Sequence, residues 1–353
     1  MEIYPRKISD ISSDNNATDT PISLSSDFIG VLLINLGTPS STKLLDIKKY
    51  LSDFLSDRRV VELPSFIWKP ILNLFILKSR PKKLISLYKK IWMEEGSPIF
   101  VYTNKQAIKL EKSLLKNKIN VMVRSCMRYG SPSIKEVLDN FIALSCEKIL
   151  ILPLFPQYSS STTGSIIEYT TSYLSKMRNI PEFRFVKRFN LFSGYLDSLV
   201  NKIHSHWDLK GFPDKLIVSF HGLPQYSVDF GDPYYQDCIE TFNLLSDKLN
   251  IENKNIHLGF QSKFGYAKWL EPCTSDLIEE FGKESLGRLD VVCPGFISDC
   301  LETLDEVDSG YRDLFLKSGG REFHYIESLN DDDEWVNGLE NIIRTHIYKW
   351  SDI

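Results

Sequence analysis

Eight short apolar runs, separated by stretches of helical periodicity, recur from Phe28 onward, and this alternation constrains the fold more than any other feature. The runs "FIGVLLIN" (28–35), "INVMVRSCM" (119–127), "KILILPLF" (148–155) and "FRFVKRF" (183–189) read as strands of a first half. A second half holds "KLIVSF" (215–220), "NIHLGF" (255–260), "LDVVCPGF" (289–296) and "REFHYI" (321–326). Runs this continuous suit parallel strands buried on both faces. The grouping predicts an α/β protein of two doubly wound domains, 28–190 and 191–353, each a four-stranded parallel sheet flanked by helices. Between the runs lie helical patterns such as 104–117, 131–145 and 232–250, each opened by a capping residue or an early proline. The last, 331–350, begins with acids and ends with bases, as the helix dipole prefers, and is expected to pack back on the first domain.

Composition narrows the function classes. The net charge of −4 gives no electrostatic footprint for nucleic acid, and no nucleic-acid partner is expected. No run approaches the roughly 18 apolar residues of a membrane span. Residues 1–27 are polar, carry Asp10, Asp14 and Asp19, and lack an apolar signal region, so they read as a disordered leader. The six cysteines, at 126, 146, 238, 273, 293 and 300, form no C-x-x-C pair, which disfavours a zinc ribbon and suits free thiols in the cytoplasm. The G-x-G-x-x-G, P-loop and G-x-S-x-G fingerprints are missing, so dinucleotide, nucleoside-triphosphate and α/β-hydrolase readings lose their main support.

Four stretches carry chemistry. In "VSFHGLP" (218–224) His221 stands at the end of a strand where Gly222 and Pro224 force a turn, the place where ligands bind in open α/β sheets; a packed structural histidine is the competing reading. In "CPGFISDCLETLDEVDSGY" (293–311) a helix is expected from about Ser298. At 100° per residue Asp299, Glu302 and Glu306 share one face, with Leu301, Leu304 and Val307 opposite, although Asp299 and Glu302 also fit a capping box. "LPLFPQYSSSTTGS" (152–165) sets a hydroxyl-rich loop before a helix, either receiving an anion on its backbone amides or serving as an N-cap. The segment 63–83 has ten large apolar residues among the fifteen from Leu63 to Leu77, with Arg58, Arg59, Lys78, Arg80, Lys82 and Lys83 at its edges. It reads as an apolar lip for a ligand or membrane surface, or as a core helix.

Taken in order, "GVLLINLGTP" (30–39), "GSPI" (96–99), "MRYGSPSI" (127–134), "LFPQYSSSTTGS" (154–165), "SFHGLPQYSVDFGDPY" (219–234), "FQSKFGYAKWLEP" (260–272) and "PGFISDCLETLDE" (294–306) resemble the ferrochelatase family, which inserts ferrous iron into porphyrin to make haem. The resemblance spans nearly the whole chain and implies two Rossmann-like, chelatase-type domains with a porphyrin cleft between them. It places the family's active-site histidine on His221 and its active-site glutamate on Glu302, the pair expected to be catalytic and to line the metal site, with Asp299 as a further oxygen donor. It also places porphyrin contacts on Leu36, Tyr88, Ser97, Arg128, Tyr129 and the aromatic wall Trp269, and propionate-facing cations on Arg80 and Lys83. Cys300 stands where many members carry a second histidine. Ser160 stands where animal-type members ligate an iron–sulfur cluster with cysteine, and Leu36 where some relatives have methionine.

The implied reaction asks for these residue types. A porphyrin loses two pyrrole protons while Fe²⁺ loses its water, and a flat ring hides its lone pairs, so the site must bend the ring, accept protons and deliver iron. A neutral imidazole serves as proton acceptor or metal ligand, and carboxylates serve as either. The division of roles between His221 and Glu302 stays open. The expectations are therefore a lyase making protohaem from protoporphyrin IX and substrate Fe²⁺, with no tightly bound cofactor and no iron–sulfur cluster, cytoplasmic and peripherally associated with the membrane. A non-catalytic haem or metal carrier of the same fold, and a flavin-bearing electron carrier, are the alternatives. The apolar lip resembles the protoporphyrin type rather than the coproporphyrin type.

Overall fold

Each of the eight apolar runs forms a strand in the computed structural model, which describes residues 28–350 apart from Tyr266. The leader expected over 1–27 lies outside the described residues. Strands β1 (Ile29–Gly37), β2 (Val121–Tyr129), β3 (Lys148–Pro153) and β4 (Glu182–Phe185) form a parallel sheet of order β2-β1-β3-β4. Strands β5 (Lys215–His221), β6 (Ile256–Gln261), β7 (Arg288–Val292) and β8 (Glu322–Ile326) form a second parallel sheet, of order β6-β5-β7-β8. The central strands are buried on both faces, which is why they read as continuous apolar runs rather than alternating ones. In the first sheet Val31 pairs with Val123 and Leu150; in the second Val218 pairs with Leu258 and Val292.

The sheets are separate but the core is shared. Val31, Leu33 and Leu152 of the first sheet join Val218, Phe220 and Trp207 of the second half in one apolar cluster, completed by Trp335, Leu339 and Ile343 of the last helix, Asp333–Ile347. That helix packs on the Pro98–Lys116 and Ser193–Lys210 helices, and its Glu340 accepts hydrogen bonds from Ser113 Oγ (2.5 Å) and Asn117 Nδ2 (2.8 Å) of the first half. Leu339, Ile342, Ile343 and Ile347 are all buried, and at roughly 1.5–3 kcal/mol for each side chain they hold the helix firmly.

Three departures from the sequence reading bear on the cleft. The helix expected from Ser298 begins only at Leu301 and winds as a π-helix over Glu302–Tyr311. Its start is delayed because Asp299 and Cys300 are tied into side-chain bonds: Asn330 Oδ1 accepts the Asp299 N–H, and Thr303 Oγ1 accepts that of Cys300. The single stripe of three carboxylates therefore does not form. Asp299 turns inward, Glu306 accepts from Ser262 and Tyr311, and Leu301 lies beside Glu302 rather than opposite it.

The hydroxyl-rich loop does receive anions, but they are the protein's own. Asp232 Oδ2 accepts the Ser160 N–H at 2.7 Å and the Ser159 hydroxyl at 3.1 Å, and Asp237 Oδ2 accepts the Tyr158 N–H at 3.0 Å. These bonds clasp the first half to the second. Finally, the 63–77 lip forms a helix, Ser65–Ile71, continued by a π turn over Leu72–Ile76 into the Leu77–Ile91 helix. Leu72 and Leu77 are core, whereas Leu63, Phe66, Ile67, Leu74 and Phe75 are exposed, so the core reading and the lip reading each describe one face.

Candidate active-site cleft

The carboxyl end of β1 and the turn after β7 open toward one cleft between the halves, as the topology of an open parallel sheet requires. It lies between Leu36, Tyr50, Tyr88 and Ser97 on the first-half side and Phe296, Cys300 and Glu302 on the second. His221 is the last residue of β5, and its Nδ1 lies 2.8 Å from the Gly222 carbonyl, so a proton on Nδ1 would leave Nε2 as the free lone pair. Its ring centroid is 6.4 Å from that of Phe296, the residue that connects His221 to the Glu302 wall.

The turn after His221 needs its glycine. A Cβ on Gly222 would lie 2.8 Å from the Gln261 carbonyl oxygen and 3.1 Å from Trp269 Cε3. Backbone bonds from Leu270 N to Leu223 O and from Gln225 N to Lys268 O then seat Trp269 against that turn. The indole Nε1 of Trp269 and the hydroxyl of Ser97 are buried without a hydrogen-bond partner among the described residues, which sets them apart from most buried polar atoms.

Glu302 stands among groups that keep their protons. Burial first, and the Glu302 carboxylate next, push the Tyr88 phenol far above its ordinary value. Burial also raises Tyr50, with Tyr88 and Glu302 adding to it. Burial and then the Glu302 charge raise the Cys300 thiol, so at neutral pH it is a thiol and not a thiolate.

The remaining candidates are placed as follows. Leu36, Tyr88 and Ser97 line the cleft with Glu302. Asp299 is buried nearby, its oxygens taken by Thr303 (2.9 Å), Tyr325 (2.7 Å) and Asn330 (2.7 Å). Arg128 and Tyr129 point to Asp57, and Tyr129 packs with Phe54. Arg80 and Lys83 are exposed on the Leu77–Ile91 helix, and the Arg80 guanidinium lies 5.5 Å from the Phe264 ring of the second half. Tyr50 and Phe296 are among the cleft residues that the sequence reading does not single out. Tyr50 sits at helical spacing with Ile47 and Leu51, a pattern that announces a packed face but not a cleft. Phe296 follows the Pro294-Gly295 turn, and that position past a strand end was the available signal.

The family profile for ferrochelatase matches residues 28–347. The chain belongs to the ferrochelatase family. The ferrochelatase of Dechloromonas aromatica is 47% identical over 325 residues, covering 91% of this chain and 88% of its own length. That of Nitrosomonas europaea is 44% identical over 326 residues, covering 92% and 89%. Membership in the ferrochelatase family makes the chain a metal chelatase, a lyase of haem biosynthesis. Among solved structures, SirB from Bacillus subtilis with Fe³⁺ matches with a TM-score of 0.53 at 12% identity, covering 90% of this chain and 94% of its own. CbiX, the terminal enzyme for biosynthesis of siroheme in denitrifying bacteria, matches with a TM-score of 0.50 at 12% identity, covering 90% and 98%. At such identity these two attest the two-sheet fold and nothing finer.

Proposed function

We propose that this ferrochelatase acts on protoporphyrin IX, which it holds in the cleft between Tyr88 and Leu36 on one side and Phe296 and Glu302 on the other, while His221 and Glu302 line the path of the metal. The observation that carries the reading is the common wall: Phe296 borders the cleft with Glu302, and its ring adjoins that of His221. A base with one nitrogen engaged by a carbonyl and a carboxylate ringed by protonated neighbours offer two acceptors for the two pyrrole protons, and both also ligate Fe²⁺ as it sheds water. Binding a bent ring better than a flat one would favour the transition state. Ser97 lines the cleft and its hydroxyl has no hydrogen-bond partner among the described residues, so a shift of its side chain would offer it to substrate.

Asp299 acts in this reading through its buried hydrogen bonds, which hold the start of the Glu302 helix, rather than as a ligand. Arg128 and Tyr129 support the macrocycle wall from behind, through Asp57. Arg80 and Lys83, exposed beside the apolar lip, are the cations that meet propionates at the edge. The exposed apolar face of 63–77 supports protoporphyrin over the more acidic coproporphyrin, and peripheral contact with the cytoplasmic face of a membrane. Among the described residues no helix is long and apolar enough to cross a membrane. Fe²⁺ enters as substrate, and the reading includes no iron–sulfur cluster, no tightly bound cofactor and no nucleic-acid partner.

The deciding experiment follows anaerobic loss of free-porphyrin fluorescence with Fe²⁺ for the wild type and His221→Ala. Turnover should fall by about 100-fold or more, with porphyrin binding and circular dichroism retained. Near-normal turnover would return His221 to a structural role.

A further inference from the structure

His206, Asp290 and His324 converge on the second sheet, outside the cleft. His206 lies in the last part of the Ser193–Lys210 helix, and Asp290 and His324 are register partners on β7 and β8. Both face that helix, because Val292 and Ile326, two residues further along each strand, share a core with its Ile203 and Trp207. His206 Nε2 lies 3.1 Å from His324 Nδ1 and 3.7 Å from Asp290 Oδ2, and the three donor atoms all fall within 4.8 Å of one another. Donors about 2.0–2.1 Å from a tetrahedral Zn²⁺ stand about 3.3–3.4 Å apart, so the observed spacings bracket what such an ion requires.

We propose that His206, Asp290 and His324 form a second metal site that takes a borderline divalent cation of the Zn²⁺ class. The supporting residues fit that use. His324 Nε2 lies 2.7 Å from Glu322 Oε1, a carboxylate–histidine pair that keeps the proton on Nε2 and turns the Nδ1 lone pair toward His206. Asp290 is aimed by Arg288, through Nε to Oδ1 (2.8 Å) and Nη2 to Oδ2 (2.9 Å), and by Trp207 Nε1 to Oδ2 (3.0 Å). Those donors also share the carboxylate's charge, so the imidazoles supply most of the affinity and Asp290 is the weakest ligand. Two imidazoles select a borderline ion over Mg²⁺ or Ca²⁺. The side chains of His206 and His324 remain 20% and 17% exposed, which leaves an ion a way in.

The site is distinct from the cleft. Val218, Val292 and Ile326 lie level across β5, β7 and β8, so His221 stands three residues beyond that level and His324 two residues before it. Five residues along a strand and two strand spacings across amount to about 19 Å.

Co²⁺ is the probe, added to chelator-stripped full-length protein in a His221→Ala background and followed by its visible absorption, with Zn²⁺ as competitor. One Co²⁺ per chain should appear with an intense, low-symmetry spectrum. Adding His206→Gln, which keeps the bulk and a hydrogen bond to His324, should abolish that binding without shifting the metal-free melting temperature. Glu322→Gln should weaken it about 10-fold. A titration unchanged by His206→Gln, or the lack of any Co²⁺ uptake in the His221→Ala protein, would overturn the proposal. In the otherwise wild-type enzyme His206→Gln should leave porphyrin metallation unchanged, which separates this site from the cleft.

Discussion

Arg128 is anchored on Asp57: its Nη2 lies 2.6 Å from Asp57 Oδ2, and the neighbouring Tyr129 hydroxyl meets the same oxygen at 2.7 Å. Burial acts to raise the Asp57 carboxyl, but hydrogen bonds from Ser165 and Tyr129, the Arg59 N–H and the Arg128 charge outweigh it and hold the group below the usual carboxylate range. The folded protein thus binds a proton at Asp57 less readily than the unfolded chain does. The resulting stability is present above about pH 4 and is lost as pH falls through the depressed folded value. Asp57→Asn leaves Arg128, whose side chain is 15% exposed, without its counter-ion and should cost roughly 3–5 kcal/mol at neutral pH. Urea titrations across pH 2–7 should show a smaller loss of stability on acidification in the variant. Parallel profiles for the two proteins would remove Asp57 from the acid response.

Glu302→Gln keeps the volume of the side chain and removes its charge beside Tyr88 and Cys300. Porphyrin should still bind, measured by quenching of protein fluorescence, while kcat for iron insertion falls by about 100-fold or more. Loss of binding together with activity would make Glu302 a structural residue.

Serine replacements at Phe66, Ile67, Leu74 and Phe75 test the lip. Phe66 and Phe75 are 79% and 67% exposed, so the quadruple variant should keep its melting temperature while binding anionic vesicles less and showing a higher KM for protoporphyrin. Leu72→Ala, at a side chain only 1% exposed, should instead destabilise by about 2–5 kcal/mol. Unchanged vesicle partitioning in the quadruple variant would argue against a membrane role.

Protein purified anaerobically from iron-replete cells should contain no acid-labile sulfide. All six cysteines are buried as free thiols, and the position in the hydroxyl loop that would serve a cluster is Ser160, whose hydroxyl accepts from Arg59 at 2.9 Å. Stoichiometric sulfide with charge-transfer absorption would contradict this expectation.

The strands were legible because parallel central strands bury both faces, and "KLIVSF" or "FIGVLLIN" cannot be anything more exposed. His221 was legible for a related reason: a turn of glycine and proline directly after such a strand marks its carboxyl end. The late start of the helix at Leu301 was not, because Asn330 and Thr303 capture the amides just ahead of it, and Asn330 is far away in sequence. Both readings of the hydroxyl-rich loop hold, since Ser159 Oγ accepts the Ser161 N–H as an N-cap while the amides of Tyr158 and Ser160 receive carboxylates. The loop's free amides were visible in the serine run, but the carboxylates that fill them come from Asp232 and Asp237, supplied by tertiary packing that no local pattern encodes. The same holds for His206, Asp290 and His324, unremarkable singly and brought together only by strand register and a covering helix.

The return of the last helix onto the Pro98–Lys116 helix has a consequence for how the molecule can come apart. A fragment ending at Asn190 would keep all four strands of its sheet yet lose Trp207, Trp335 and Ile343 from the cluster that covers Val31 and Leu33. The complementary fragment would strand Glu340 without Ser113 and Asn117. Two sheets of matching order therefore rest on one shared core, so the halves should unfold together in a single calorimetric transition, and two resolved transitions would show them to be independent units.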